Sequence, residues 1–335
     1  KLDFRLASGN NATVFDQAAS PTGRVHPHAW GILNLLTFLN FSPGGLISQA
    51  KWDQKTTDRT SFAAPCIQAA HTFINSSNIL QTLWLNLLTR EDVTKSGHKW
   101  GQPTWELFPS SLEDKQAAIN ATQTYLGRLV PLTRLIKLQQ GEEGYLAANV
   151  FLGASPKSWS FEHLPAYREP STTVVIVKRN NKEEHAYMRL SLDKHIWRDL
   201  GAVLSVAQSV TSVGGPKAIS RLQQRPDILS DEMISVWVGG LVARQASLED
   251  TVEWRLQIPV YALNSQALLH YQSGVSLAND AEGKIRWAIE TYLAEFKAYT
   301  GTDKRSRSQR DSICNKAATF YWQRLDQRYE VLLNN

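Results

Sequence analysis

The sequence predicts an α+β fold with two regions: a mixed helix and β-hairpin domain over residues 1–247, then a C-terminal antiparallel helical bundle over residues 248–335. Three observations lead to this prediction. Apolar residues recur at helical spacing near the start, β-branched runs separated by turn residues occupy the middle, and two apolar helical stripes occupy the end. A chain of 335 residues is long enough for two domains with a substantial core.

The composition is that of an ordinary globular protein, with 42% hydrophobic and 20% charged residues. The net charge of +5 permits a polyanionic partner without requiring one. Cys66 and Cys314 are far apart, so neither a disulfide framework nor a zinc site is indicated, and we expect a reducing cytoplasm and no cofactor. No apolar run approaches membrane-span length. Because the chain begins at Lys1 without an initiator Met, we expect it to be part of a longer chain.

Two helices are predicted in the first hundred residues. Residues 30–41 carry apolar side chains at helical spacing, and Ser42-Pro43-Gly44-Gly45 ends that helix, a position where a glycine pair is typical of a C-cap. A polar segment, residues 49–61, follows. The second helix covers residues 79–88 and begins after the cap-rich run 75–78.

Two β-hairpins are predicted in the middle of the chain. The first joins residues 128–138, which alternate imperfectly, to residues 145–151. The second is clearer: the β-branched run 172–177 turns through residues 179–182 and returns as residues 185–190.

The last part of the chain carries two apolar stripes at helical spacing, and each needs the other for burial, which predicts an antiparallel bundle. The first stripe comprises Ile285, Ile289, Tyr292, Leu293 and Phe296; the second comprises Ile313, Ala317, Phe320, Tyr321, Leu325, Tyr329 and Leu332.

A basic loop, residues 304–310, is predicted between the stripes, and Ser308 with Asp311 three residues later is typical of a capping arrangement at the start of the last helix. This charge favours contacts with phosphates, and the alternative is a solvated loop followed by a solvated helix face. The cations concerned are Lys304, Arg305, Arg307 and Arg310, with Lys316, Arg324 and Arg328 further along.

The pair Gly239-Gly240 follows an apolar run that ends at Val238 and precedes the polar stretch containing Gln245. Glycine permits positive φ and close backbone approach, and a glutamine amide offers a donor and an acceptor in one plane, which suits contact with a base edge. The alternative interpretation is a helix C-cap followed by a loop.

Catalytic motifs are absent from the sequence: there is no phosphate-binding Gly-rich loop, no Gly-x-Ser-x-Gly and no His-Glu-x-x-His. His26 and His28 flank a proline with no carboxylate cluster nearby, which indicates surface histidines. The acidic residues are scattered among basic ones, without the paired carboxylates that two-metal phosphodiester chemistry requires. We therefore predict no catalytic residue, no metal site and no enzymatic activity.

The order of several short motifs resembles the large subunit of the type I-E CRISPR surveillance complex Cascade, the CasA family. The matching motifs are residues 8–16, read Ser-Gly-Asn-Asn-Ala-Thr-Val-Phe-Asp; Pro43-Gly44-Gly45; residues 81–87, read Gln-Thr-Leu-Trp-Leu-Asn-Leu; Gln102-Pro103-Thr104-Trp105; Trp197-Arg198-Asp199-Leu200; and Gly239-Gly240 followed by Gln245-Ala246.

This resemblance implies a non-catalytic reader of the protospacer-adjacent motif in double-stranded DNA. Asn11 and Phe15 would meet the 5′ handle of the CRISPR RNA, and the Gly44-Gly45 backbone would approach the minor groove. The strand-separating wedge would comprise Gln245 and Ala246, with Arg244 beside them. The implied partners are the CRISPR RNA, target DNA, the other Cascade backbone and small subunits, and the helicase-nuclease recruited after R-loop formation.

Three features depart from the family pattern. The hairpin that carries a lysine finger in some members has the tip Gly141-Glu142-Glu143-Gly144 here, and the closest lysine is Lys137. The family's segment before the RNA-handle loop is not found in this sequence. The sequence ends at Asn335 after the expected third helix of the bundle, so we expect either that the family's fourth helix is missing or that the sequence omits residues. A metal-dependent nuclease-like protein with a basic helical domain is the alternative function.

Overall fold

The computed structural model describes residues 26–67, 69–95, 97–146, 151–160, 169–179, 181–205, 212–224, 233–244, 247–296 and 304–334. Helices and strands are mixed over most of this range and helices dominate its end, so the predicted α+β class is confirmed. Asn11, Phe15, Gln245 and Ala246 lie outside the described residues, and their predicted roles stay predictions.

The first half of the chain combines short strands with helices. Its elements are β1 (His26–Pro27), α1 (His28–Phe41), β2 (Gly45–Leu46), β3 (Lys51–Trp52), β4 (Lys55–Thr56), β5 (Thr60–Ser61), β6 (His71–Asn75), α2 (Ile79–Asn86), α3 (Arg90–Lys95), α4 (Lys115–Gln123) and α5 (Tyr125–Arg128). Both predicted helices are confirmed as α1 and α2. The α2 N-terminus is capped by the Asn78 side chain, which accepts a hydrogen bond from the Gln81 backbone N–H.

The middle of the chain is rich in strands. Its elements are β7 (Arg134–Lys137), β8 (Tyr145–Leu146), β9 (Phe151–Ala154), β10 (Val174–Arg179), β11 (Lys182–Tyr187), α6 (Leu200–Val203), β12 (Ser212–Gly214), α7 (Lys217–Gln224), β13 (Met233–Arg244) and β14 (Ser247–Pro259). The second predicted hairpin is confirmed as β10–β11, with Asn181 at φ 61° in its turn. The first predicted hairpin is wrong in its pairing: β7 pairs with β9, whereas β8 pairs with β1.

The chain ends in α8 (Ser265–Ala294), α9 (Lys304–Asp326) and α10 (Glu330–Asn334). The guanidinium of Arg286 donates to Asn315 at 2.9 Å, and the Tyr321 hydroxyl donates to the Ala278 carbonyl at 2.9 Å. The contact nearer the start of α8, at Ala278, involves the later residue of α9, Tyr321, and the contact further along α8, at Arg286, involves the earlier residue, Asn315. The two helices are therefore antiparallel, which confirms the prediction.

Two expectations for this end of the chain are wrong. Residues 247–259 form a strand, so the helical part begins at Ser265 and not at residue 248. The basic segment 304–310 forms the first two turns of α9 and not a loop, because it contains good helix formers and no glycine or proline. Ser308 and Asp311 therefore lie inside the helix and do not cap it. The division of the chain into two domains stays a prediction.

The centre of the structure is the antiparallel sheet β14–β13–β6, in which β13 is the middle strand. Its buried face carries Ile74, Val236, Val238 and Ile258, each at most 1% exposed. The same core includes the residues of the 3₁₀ turn 196–199, α6 and α7 that pack below the sheet.

A cluster of aromatic residues joins this sheet to the C-terminal helices. Trp197 packs against Trp322 and Tyr329 at ring distances of 6.0 and 6.3 Å, and its indole N–H donates to Asp326 at 2.6 Å. The sheet, the 3₁₀ turn and α9 therefore share one core. No helix in the described ranges has the length and apolar character needed to span a membrane.

The glycine pair 239–240 lies inside β13, so its interpretation as a C-cap followed by a loop is wrong. A Cβ on Gly240 would lie 2.5 Å from the Ala69 carbonyl oxygen, and a Cβ on Gly239 would lie 2.2 Å from the Trp237 ring. Neither glycine has positive φ. Glycine is required at both positions because neighbouring atoms fill the space of a side chain.

We expect Gly240→Ala to destabilise the protein by about 1–3 kcal/mol, the usual cost of forcing extra volume into a packed site. The control is Gly283→Ala in α8, where no atom lies within 4 Å of the added Cβ, and which should stabilise by about 0.5–1 kcal/mol. Urea unfolding of the two variants measures both effects. Equal stability of Gly240→Ala and the unmodified protein would contradict the packing described for β13.

Candidate nucleic-acid interface

A hairpin arm, residues 44–61, follows α1; we call it the glycine arm. It is built from two short ladders, β2 with β5 and β3 with β4, and between them the Ile47 backbone N–H donates to the Arg59 carbonyl at 2.8 Å. Asp53, at φ 53°, lies in the turn at its tip. The polar segment noted in the sequence is thus the greater part of an ordered hairpin whose base contains Gly44 and Gly45.

The two glycines of the arm are required for different reasons. A Cβ on Gly44 would lie 2.9 Å from the Ala63 backbone nitrogen and 3.3 Å from the Ser61 carbonyl oxygen, so Gly44 is needed for packing inside the arm. Gly45 has φ 146°, a conformation that residues with a side chain rarely adopt. Gly45 is exposed, and the neighbouring Leu46 is 86% exposed. Of the two glycines, Gly45 is therefore the one that exposes more of its backbone to solvent.

The glycine arm is fixed to the rest of the molecule along its length. Ala50 packs against Gly153, where a Cβ would lie 2.4 Å from the Ala50 Cβ, and the Ala154 backbone N–H donates to the Ser48 carbonyl at 2.9 Å. Trp52 contacts Phe108 at a ring distance of 6.1 Å. These contacts hold the arm in a defined position on the surface of the molecule.

Exposed cations of the arm include Lys51, Lys55 and Arg59. Lys55 pairs with Glu113. Within the described part of the chain, Lys51 and Arg59 form no ion pair, so their charges are free for an anionic partner. The sequence showed these cations interleaved with acidic residues, and it did not indicate which of them pair.

The β13–β14 hairpin projects beyond the central sheet. Gly239 pairs with His71, the first residue of β6, and β13 continues for five more residues to Arg244, or roughly 16 Å at the usual rise per strand residue. The last described pair is Arg244 with Ser247. The residues predicted to form the wedge, Gln245 and Ala246, are those between these two.

The glycine arm and the β13–β14 hairpin start from the same end of the sheet. Phe41, at the end of α1, contacts the His71 ring edge-on at 5.6 Å, and His71 pairs with Gly239. A second connection is the segment that follows the arm. Gly44 packs on Ala63 of this segment, and Gly240 approaches the carbonyl of Ala69, six residues further along it. Two elements far apart in the sequence are thus rooted beside each other.

A buried polar cluster underlies this junction. His71 is 6% exposed; its Nε2–H donates to the Cys66 carbonyl at 3.1 Å, and its Nδ1 lies 2.8 Å from the Ser171 hydroxyl. Arg128 and Glu169 form a largely buried ion pair beside it. Burial lowers the pKa of His71 and raises the pKa of the Cys66 thiol to about 12, so the histidine is uncharged and the thiol is unreactive. These properties suit a structural role.

Among the predicted phosphate-binding residues of α9, Arg307, Arg310 and Arg324 have described side chains, and they are spread along the helix. Arg307 is exposed and Arg310 is half-buried, while Arg324 is about 25 Å further along the helix and stacks 5.1 Å from the Phe320 ring centre. The side chains of Lys304 and Arg305 lie outside the described set. A shallow groove of about 960 Å³ follows this helix, and its lining includes Arg307, Asp311 and Lys316.

The sequence predicts no metal site, and the side chains that bear on this prediction are the possible metal ligands His, Cys, Asp and Glu. Within the part of the chain that the structure covers, no group of three or more His, Cys, Asp or Glu side chains is placed to hold a metal ion. His28, one of the two histidines noted in the sequence, lies with Nε2 3.0 Å from the Tyr145 carbonyl.

The comparison with known families is decisive. The family model described as CRISPR-associated protein Cse1 matches residues 1–335. The chain belongs to the Cse1 family. A CasA/Cse1 protein of Thermus thermophilus is 27% identical over 293 residues, which are 84% of this chain and 52% of that relative. The resemblance to the CasA family is thereby confirmed.

Solved structures share the fold of this Cse1-family chain. Thermobifida fusca Cse1 matches with a TM-score of 0.65 at 16% identity, covering 95% of this chain and 61% of that one. A chain of a CRISPR RNA-guided surveillance complex matches with a TM-score of 0.59 at 14% identity, covering 89% of this chain and 58% of that one. This chain spans between half and two thirds of the length of these three relatives.

We expect the stability of the protein to fall as the pH is lowered through about 6.5, the pKa of a histidine in an unfolded chain. Because the pKa of His71 is lowered in the folded state, the unfolded state binds a proton that the folded state does not, at up to about 1.4 kcal/mol per pH unit. His71→Gln should remove this contribution.

The measurement is urea unfolding between pH 7.5 and pH 5.5, since carboxylates contribute little in that range. His270→Gln, which changes an exposed histidine of α8, is the control and should keep the original pH dependence. An identical slope for His71→Gln and the unmodified protein would contradict the uncharged state of His71.

Proposed function

We propose that this chain acts as the non-catalytic large subunit of a type I-E CRISPR RNA-guided surveillance complex. In this role it reads the protospacer-adjacent motif in duplex DNA and separates the strands to start R-loop formation. The observation that carries the proposal is the rooting of the glycine arm and the β13–β14 hairpin at one end of the central sheet. A reader and a wedge must act on neighbouring base pairs, and this arrangement suits both.

Gly45 is the residue of the arm best suited to approach the minor groove. It is exposed, it lacks a side chain, and its backbone conformation excludes most other residues. Gly44 supports it from inside the arm and does not itself need to contact DNA. The free cations Lys51 and Arg59 suit phosphate contacts, which position a duplex without reading its sequence.

The wedge role is assigned to Gln245 and Ala246, with Arg244 at the end of β13. Separating the first base pair costs a few kcal/mol for unstacking and unpairing. A wedge can supply that energy only if its own support does not yield. The β13–β14 ladder, anchored at Gly239 and Gly240, gives such support.

The remaining roles follow from family membership. Asn11 and Phe15 are proposed to contact the 5′ handle of the CRISPR RNA, where an aromatic ring can stack on an unpaired base. The other Cascade subunits are proposed as assembly partners, and the helicase-nuclease as the enzyme recruited once the R-loop has formed. A solved surveillance complex with a chain of this fold supports the assembly.

Gln245→Ala should slow R-loop formation more on linear duplex than on negatively supercoiled DNA, because supercoiling already favours strand opening. The measurement is the rate of R-loop formation by the assembled complex on the two templates. Gln257→Ala, an exposed glutamine of β14 at the far end of the same hairpin, is the matched control and should leave both rates unchanged.

Equal slowing on both templates would reject the wedge role of Gln245. A separate incubation of the purified chain with labelled duplex and magnesium or manganese tests the nuclease alternative. Cutting of the duplex by the chain alone would support an enzyme.

Neutralising Lys304, Arg305, Arg307 and Arg310 together should weaken binding of matched and mismatched DNA alike. Each lost phosphate contact lowers the slope of log affinity against log salt by about 0.9. Titrations at several salt concentrations measure the slope. An unchanged slope would assign the start of α9 to solvent. The control variant neutralises four exposed lysines elsewhere: Lys99, Lys115, Lys178 and Lys182.

A further inference from the structure

Arg134, the first residue of β7, is a buried cation at the base of the glycine arm, with 5% of its surface exposed. One terminal nitrogen of its guanidinium donates to the Phe62 carbonyl at 2.8 Å and to the Thr133 carbonyl at 2.7 Å. The other donates to the Pro43 carbonyl at 2.5 Å. A planar guanidinium can hold three carbonyls in a fixed geometry, whereas a lysine ammonium cannot span them.

Two of these carbonyls mark the two ends of the arm. Pro43 immediately precedes Gly44, and Phe62 immediately follows Ser61. One side chain from a distant strand therefore joins the entry and the exit of the hairpin. Neighbouring contacts complete the junction: the Ser61 hydroxyl donates to the Thr133 carbonyl at 3.2 Å, and the Thr133 hydroxyl donates to the Leu39 carbonyl at 2.6 Å.

The charge of Arg134 has no acidic partner among the residues that the structure describes. Burial lowers the pKa of Arg134 to about 10, so the guanidinium is still protonated at neutral pH. A buried charge is costly unless it is well hydrogen-bonded, and here backbone carbonyls alone supply the bonds described above. This charge adds to those of Lys51 and Arg59 on the surface of the arm, which also carries the exposed Asp53 and Asp58.

We propose that Arg134 is the positioning residue of the glycine arm: by fixing the distance between Pro43 and Phe62 it sets where Gly45 stands relative to a bound duplex. The bracing follows from the contacts of Arg134 alone, while its effect on DNA recognition rests on the function proposed above. Because Arg134 itself is buried, we assign it the role of positioning the arm and not of contacting the nucleic acid.

The first test measures the arm without reference to DNA. The full-length protein, assembled in its complex, is treated briefly with trypsin under native conditions, and cleavage after Lys51, Lys55 and Arg59 is followed by mass spectrometry. We expect Arg134→Gln and Arg134→Lys both to accelerate cleavage in the arm about tenfold, the change that loss of one hydrogen bond to a charged group brings to an opening equilibrium. Cleavage after Lys178, on the β10–β11 hairpin, should not change.

The second test measures motif recognition in the same variants, as the ratio of affinities for duplexes with the matched and a scrambled motif. We expect this ratio to fall about tenfold, with the affinity for the scrambled duplex unchanged, because a displaced arm loses the contacts specific to the motif. Arg221→Lys in α7 is the matched control: its guanidinium also donates to three backbone carbonyls, those of Trp84, Leu85 and Leu87, which lie outside the arm, and the change should alter neither readout.

The outcomes separate the two proposals. Unchanged cleavage of the arm in both Arg134 variants would overturn the positioning role. If the arm of Arg134→Lys were cleaved as slowly as that of the unmodified protein, a lysine would suffice at this position, and the argument that a guanidinium is needed to bind three carbonyls would be overturned. Faster cleavage with an unchanged affinity ratio would uphold the bracing and reject the arm as the motif reader. Arg134→Lys retains the charge and is the milder variant if Arg134→Gln does not assemble.

Discussion

Backbone pairing along β13 is the constraint on which the rest of the structure depends. Its first half is hydrogen-bonded to β6 on one side and β14 on the other, so its position is fixed by two ladders at once. Within the described residues, its second half pairs with β14 alone and extends beyond the end of β6. The change occurs at Gly239 and Gly240, where side chains are excluded by Trp237 and Ala69. A strand that is paired on both sides thus becomes a projecting hairpin within one element.

The same sheet positions the glycine arm. The segment that follows the arm leads directly into β6, and the helix that precedes it ends at Phe41 against the His71 ring. Both ends of the arm are therefore positioned by β6, and β6 in turn pairs with β13. Arg134 adds a third point of attachment from β7. Among the residues that the structure describes, these shared roots position both elements.

The sequence predicted those parts of the fold whose determinants are local. Helix α1, the Asn78 cap of α2 and the β10–β11 hairpin are each specified by periodicity and by turn or cap residues within a few positions. The strand β14 was predictable as well, since Val252, Trp254, Leu256 and Ile258 alternate with polar residues, but the apolar stripes that follow it favoured a helix. The charge of the basic segment 304–310 suggests a loop, whereas its residue types favour the helix that it forms.

The parts that sequence could not predict depend on contacts between distant segments. Nothing near Gly240 in the chain indicates that it meets Ala69, and nothing near Arg134 indicates that it binds Pro43 and Phe62. The order of short motifs along the sequence resembles the family and indicates which residues belong to the candidate site. The different reasons for Gly44 and Gly45 became visible only when their surroundings were known.

The place of β14 at the edge of the sheet has a consequence for solubility. A long edge strand offers unpaired backbone groups to any other extended chain, and such edges are a common origin of aggregation. In β14 the projecting half carries Glu249, Asp250 and Glu253, all exposed. Stacking a second copy along this edge would bring like charges together, so the hairpin can extend into solvent without joining another molecule of its own kind.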